Sequence, residues 1–143
     1  GENVNPWCRA GIFLRNDIAQ SHGTEPGSLG SVLIYTTPKL FGMQWDEFGD
    51  GCMHKGGDRH FHEGKNTFPV WLRLVRHGDT FTGYTSDDGV NWGKPKHSSL
   101  IPGLADMMDI GMAAGTIDQR PALVVLEDFT VEVEDEDWKP DLD

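Results

Sequence analysis

The chain reads as an all-β protein, a two-sheet antiparallel jelly-roll sandwich, on three observations. Helical periodicity is nearly absent, short runs of alternating apolar and polar residues recur along the chain, and turn-forming residues separate them. Eighteen glycines in 143 residues fit many short strands joined by tight connections. Strands that follow one another with no helix between them favour antiparallel pairing over a parallel sheet.

In chain order, WCRAGIFLR (7–15) sets Cys8, Ala10, Ile12 and Leu14 against Gly11, Phe13 and Arg15, a period of two that gives one buried face. SVLIYTT (31–37) and LFGMQWD (40–46) follow, parted by Pro38-Lys39. VWLRLVR (70–76), TFTGYTS (80–86) and VNW (90–92) come next. His77-Gly78-Asp79 and Asp87-Asp88-Gly89 mark reversals between them, because glycine accepts positive φ without steric cost. DIGMAAGT (109–116) and ALVVLEDFTVEVED (122–135) close the series. Within LIPGLADMM (100–108), Pro102 and Gly103 allow a short turn at most. The stretch 46–66 is a long Gly-rich loop carrying three of the six histidines, and loops of that length in small domains are commonly functional. Residues 1–135 form the domain and 136–143 an acidic tail or linker.

A formal charge of -11 argues against nucleic acid and against anionic membrane surfaces, both of which call for a basic face. No apolar run approaches the roughly 20 residues of a membrane helix. Cys8 and Cys52 could be a disulfide or two thiols, and their spacing excludes a CxxC motif.

Three blocks carry a family resemblance. NPWCRAGIFLRND resembles the PWxKAGVMIR strand of bacterial concanavalin A-like lectin/glucanase jelly-roll modules. WLRLVRHGDTFTGYTSDDGVNW resembles their WxKLxRxGxTFTGYxSxDGxxW hairpins, and DIGMAAGT with VLEDFTVE resembles their closing strands. The blocks lie in the family's order and cover about half of the chain. The resemblance implies a jelly roll in a large secreted, periplasmic or cell-surface bacterial protein, serving as a carbohydrate-binding or structural accessory module. It also implies several strands before the one that begins here at residue 7. A sandwich lacking them would expose strand edges and core, so another polypeptide segment supplying the missing strands is a further expected partner.

Catalysis by paired carboxylates needs two acids at fixed separation, and WDEFGDG does not match the ExDxE strand of the related glucanases. Asp46, Glu47 and Asp50 read more plainly as a solvated loop, and no nucleophile elbow, P-loop or dinucleotide fingerprint is present. His60 and His62, two apart, share a side in an extended segment, and with His54 and Asp58 they form a candidate transition-metal set. The competing reading is a polar loop of exposed histidines. Structural calcium held by scattered loop oxygens is the other cofactor expectation, since DEFGDG fails the EF-hand pattern at Phe48.

Sugar binding asks for aromatic faces beside planar polar groups. Trp71 and Arg73 alternate with Leu72 and Leu74; Leu72 and Leu74 claim the core face, and Trp71 and Arg73 share the other, where they are a second candidate ligand pair. Trp71, Phe81 and Trp92 suit packing, with Arg73 covering Trp71. Trp45, at the mouth of the long loop, is the better ligand candidate, with Arg15, Asn16, His60 and His62 beside it. The functional expectation is a non-catalytic carbohydrate-binding or structural module, with an assembly subunit or a metal-binding protein as alternatives.

Overall fold

A computed structural model describes residues 8–16, 30–46, 57–61, 68–116 and 122–133. Eight strands form in order, β1 (Arg9–Arg15), β2 (Ser31–Thr36), β3 (Phe41–Trp45), β4 (Gly57–Phe61), β5 (Trp71–His77), β6 (Thr80–Ser86), β7 (His97–Leu100) and β8 (Asp109–Gly115). They make a five-stranded sheet of order β4-β3-β2-β1-β8 and a three-stranded sheet of order β5-β6-β7. Every pairing is antiparallel. No helix occurs among the described residues. The expected all-β, jelly-roll-like sandwich is what the chain adopts.

The register puts the alternation to use. Leu14 pairs with Val32 and Val32 with Trp45, while Ile12 pairs with Ile34 and Ile34 with Met43. Directly opposed residues share a face, so two apolar rows run across the larger sheet. Leu14, Val32, Ile34, Met43, Trp45, Phe81 and Ile101 form the buried core, with Ile12, Leu72, Leu74, Leu104 and Met108 packed at its margin. The smaller sheet approaches closely because β6 carries Gly83, where an added Cβ would lie 2.8 Å from both Ile34 Cδ1 and Met43 Sδ.

Turn chemistry accounts for the β5–β6 hairpin. His77 pairs with Thr80, leaving a two-residue loop whose first residue, Gly78, sits at φ 59. That is the type II′ arrangement, whose twist matches the flanking strands. Beside this turn Arg76 is an inward cation put to structural use. It donates to the carbonyls of Gly78, Leu104 and Ala105 while its guanidinium lies 5.3 Å from the Phe81 ring centre.

Four local expectations are corrected. Residues 90–92 are not a strand; the chain pairs again with β6 only at β7, because the Asp88 turn described below occupies the intervening length. The stretch 46–66 contains β4, whose backbone adds to the free side of β3. Residues 122–133, read as part of a closing strand, run without turn, bend or pairing. Trp45 belongs to the core. Cys8 is a buried free thiol, and Cys52 and the tail from 136 lie outside the described residues.

Gly11 on β1 leaves no room for a side chain, since a Cβ would fall 1.9 Å from the Ile34 carbonyl oxygen of β2. Gly111, in register with Phe13 on the neighbouring β8, would meet nothing within 4 Å. Gly11→Ala is therefore expected to cost at least about 2 kcal/mol in denaturant unfolding, and Gly111→Ala to stay within about 0.5 kcal/mol of the parent chain.

Candidate functional site

The expected ligand patch does not assemble around Trp45. That indole is 5% exposed and stacks on His97 of β7, with ring centres 6.0 Å apart and planes inclined by 11°. It joins the two sheets and offers no open face. Arg15 is half-buried at the end of β1, in register with Ser31 and Asp109. Asn16 is engaged structurally: its Oδ1 accepts from the Ala105 amide at 2.9 Å and its backbone N–H donates to Gly30. Together Asn16 and Arg76 hold the 104–105 connection that brings Leu104 and Met108 against the core.

On β4 the backbone of His60 is in register with Gly42, and that of Asp58 with Gln44. His54 and His62 lie outside the described residues. Among the described residues no three His, Cys, Asp or Glu side chains converge as a metal-binding group.

The outward face of the five-stranded sheet is closed at its centre. The Tyr35 ring lies over Gly42, where a Cβ would sit 2.5 Å from the phenol, and the Arg9 guanidinium lies 4.7 Å above that ring. Arg9 crosses β2 to donate to Gln44 Oε1. Tyr35 and Gln44 are 1% and 2% exposed. Within this group Arg9 Nε and Gln44 Nε2 are buried donors with no acceptor among the described residues.

The outward face of the three-stranded sheet is different. The register places Trp71 opposite Ser86, Arg73 opposite Tyr84 and Val75 opposite Thr82 on the side away from Leu72 and Leu74. Thr82 continues it by a 2.9 Å hydroxyl contact with Ser98. Arg73 stacks on Trp92, with its guanidinium carbon 4.0 Å from the ring centre. The expectation that Arg73 covers Trp71 is thus corrected, because the chain after β6 carries Trp92 back across the sheet. Trp71 packs instead against Gly89, where a Cβ would meet the indole at 2.7 Å and where φ is 74. Arg73 is exposed and has neither a carboxylate nor a hydrogen-bond acceptor among the described residues; Trp71, Tyr84 and Trp92 are half-buried around it.

The Asp88 turn sets this geometry. One carboxylate oxygen accepts from the Val90 and Asn91 amides at 2.9 and 2.8 Å and from the Ser86 hydroxyl at 2.9 Å. The other accepts from the Asn91 side-chain amide at 2.7 Å. Ser86 Oγ in turn accepts from the Gly89 amide at 3.0 Å. The Asn91 and Val90 amides, then the side chains of Asn91 and Ser86, hold the Asp88 carboxyl well below the usual carboxylate range. An acid so held stays ionised and cannot act as a proton donor.

Compared with protein-family models, curated proteins and solved structures, the chain matches none. The class defined by its own geometry is a two-sheet antiparallel β-sandwich with an aromatic and cationic outer face.

Sequence patterning identified Trp71 and Arg73 on one outward face. It missed Tyr84 as their neighbour, Arg9 and Gln44 as a cross-strand pair, and Trp92 as the partner of Arg73. Tyr84 was available from the alternation of TFTGYTS. The other contacts depend on registers that no local pattern encodes.

Because its folded-state pKa is depressed, Asp88 contributes to loop stability above its unfolded value, about 3.9, and that contribution is lost as pH falls through the folded value. The Asp88 carboxyl resonance should titrate at clearly lower pH than the ordinary carboxylate range. Asp88→Asn, which turns one acceptor into a donor facing the Asn91 amide, should loosen the loop and raise Trp92 exposure at neutral pH, read by fluorescence quenching.

Proposed function

We propose that this chain is a non-catalytic accessory β-sandwich that binds carbohydrate, working within a larger secreted bacterial protein. The carrying observation is Arg73, an exposed guanidinium stacked on Trp92, with donors uncommitted among the described residues and Trp71 and Tyr84 flanking it. A pyranose presents a C–H face to an aromatic ring and in-plane hydroxyls at its rim. A planar guanidinium beside half-buried indoles and a phenol supplies both kinds of contact without bond-making chemistry. These side chains lie along one sheet face, which suits a polymer chain lying across it more than a single enclosed sugar. Such a surface contributes weak, reversible attachment, while the core behind it keeps the platform rigid.

Affinity electrophoresis and calorimetry against soluble β-glucans, xylans, galactans and mannans test this reading. At least one is expected to bind in the range of about 0.01–1 mM. Arg73→Ala should weaken that binding by about tenfold or more with the fold unchanged by circular dichroism, and Arg73→Lys should not restore it, since an ammonium lacks the planar fork. Unchanged binding by Arg73→Ala, or no binding across the panel, defeats the carbohydrate assignment and leaves a supporting role.

A further inference from the structure

We propose that the open side of the sandwich is a strand-acceptor cleft, filled in solution by residues 122–133 of a second copy of this chain in a reciprocal exchange. It shares β5 with the carbohydrate reading but does not rest on that reading.

The inward side chains of β1, the inner row of β8, β5 and the segment 122–133 border one open region, which continues around β5 onto Tyr84 and Trp92 of the outer face. β5 ends the three-stranded sheet, so along one side its amides and carbonyls have no ladder partner among the described residues. It packs over β1 and β2. One further strand beside β5 therefore lies over β1 and β8. That is where cover is missing. Ile110 and Met112 are in register with Leu14 and Ile12, on the core-facing side of β8, and yet are 44% and 46% exposed.

The occupant is identified by pattern and charge. A strand inserted here needs apolar side chains toward Ile12, Leu72, Ile110 and Met112 and an unpaired backbone. Among the described residues only 122–133, ALVVLEDFTVEV, combines an apolar sequence of strand length with the absence of any pairing. Its Leu123, Val125, Phe129, Val131 and Val133 are 39% to 93% exposed. The remaining long stretches of the sequence, 17–29, 47–56 and 134–143, are polar, Gly-rich or acidic and hold no comparable run. The segment carries Glu127, Asp128 and Glu132 and no base, whereas β5, WLRLVRH, carries Arg73, Arg76 and His77 and no acid. Opposite charges on adjacent strands favour that pairing.

A second copy meets these demands symmetrically, because each chain holds both the donor segment and the acceptor edge, and a two-fold exchange closes on itself. The side chains left bare, Ile110 and Met112 on β8 and Leu123, Val125, Phe129, Val131 and Val133 on the segment, are more than the scattered single apolar residues of an ordinary monomer surface.

Sedimentation and light scattering of the 1–143 chain from about 1 to 200 µM should show a dimer, with backbone amides of 71–77 and 122–133 protected from hydrogen exchange in the dimer relative to the dilute chain. The donor variant Val125→Asp/Phe129→Asp and the acceptor variant Ile110→Asp should each dimerise at least about tenfold more weakly. Mixed together they should recover a one-to-one heterodimer, since one intact donor then meets one intact acceptor; variants that had merely misfolded would not. A chain that stays monomeric throughout, a dimer in which the 71–77 amides remain unprotected, variants that dimerise as the parent does or fail to associate when mixed, or a different polypeptide found protecting those amides would each overturn the proposal.

Discussion

The closeness with which β6 meets the β2–β3 pair governs the rest of the sandwich. At Gly83 the smaller sheet presents backbone where every other core position presents a side chain, and Ile34 and Met43 occupy the space that results. Those two are fully buried and in register with each other, so one gap in one strand fixes the depth of interdigitation for the whole interface. Phe81, two residues away on the same face, fills the adjoining volume. Packing at interior density leaves little freedom in such an arrangement. The tilt and height of β5 follow from it, and with them the direction in which Trp71 and Arg73 are held outward.

Polar residues then fix what the core leaves loose. Arg76 and Asn16 hold the 104–105 connection from opposite sides, and Asp88 organises the return from β6 through its two carboxylate oxygens. Each uses a charged or amide group to satisfy backbone donors or acceptors that a turn leaves unpaired, which apolar packing cannot do. The outer aromatic face is therefore as much a product of these hydrogen bonds as of the hydrophobic core. Trp92 reaches Arg73 because Asp88, Gly89 and Gly93 steer the chain, the two glycines at φ 74 and 62.

The fold was legible wherever alternation met a partner. WCRAGIFLR, SVLIYTT, LFGMQWD, VWLRLVR, TFTGYTS and DIGMAAGT all form strands, and the inward assignment of Ala10, Leu14, Leu72 and Leu74 is consistent with the structure. ALVVLEDFTVEV has as strong a pattern and forms no strand, because β-structure is a relation between segments and alternation describes only one of them. β4 and β7 run the other way: GDRHF and HSSL carry little strand signal of their own and are recruited by the edges of β3 and β6. The site was legible in part for the same reason. Local alternation set Trp71 and Arg73 on one face, whereas the burial of Trp45 followed from its register with Val32 and from His97, a residue 52 positions further along the chain.

The Trp45–His97 stack has an optical consequence. One ring belongs to each sheet, so the pair spans the interface that must part when the sandwich opens. An indole's emission responds to the groups within a few ångströms of it, and an imidazole lying nearly parallel is such a group. Trp45 is thus a built-in gauge of sheet separation. With the chain's other four tryptophans replaced by phenylalanine, its signal distinguishes loss of the core from fraying of loops and edges.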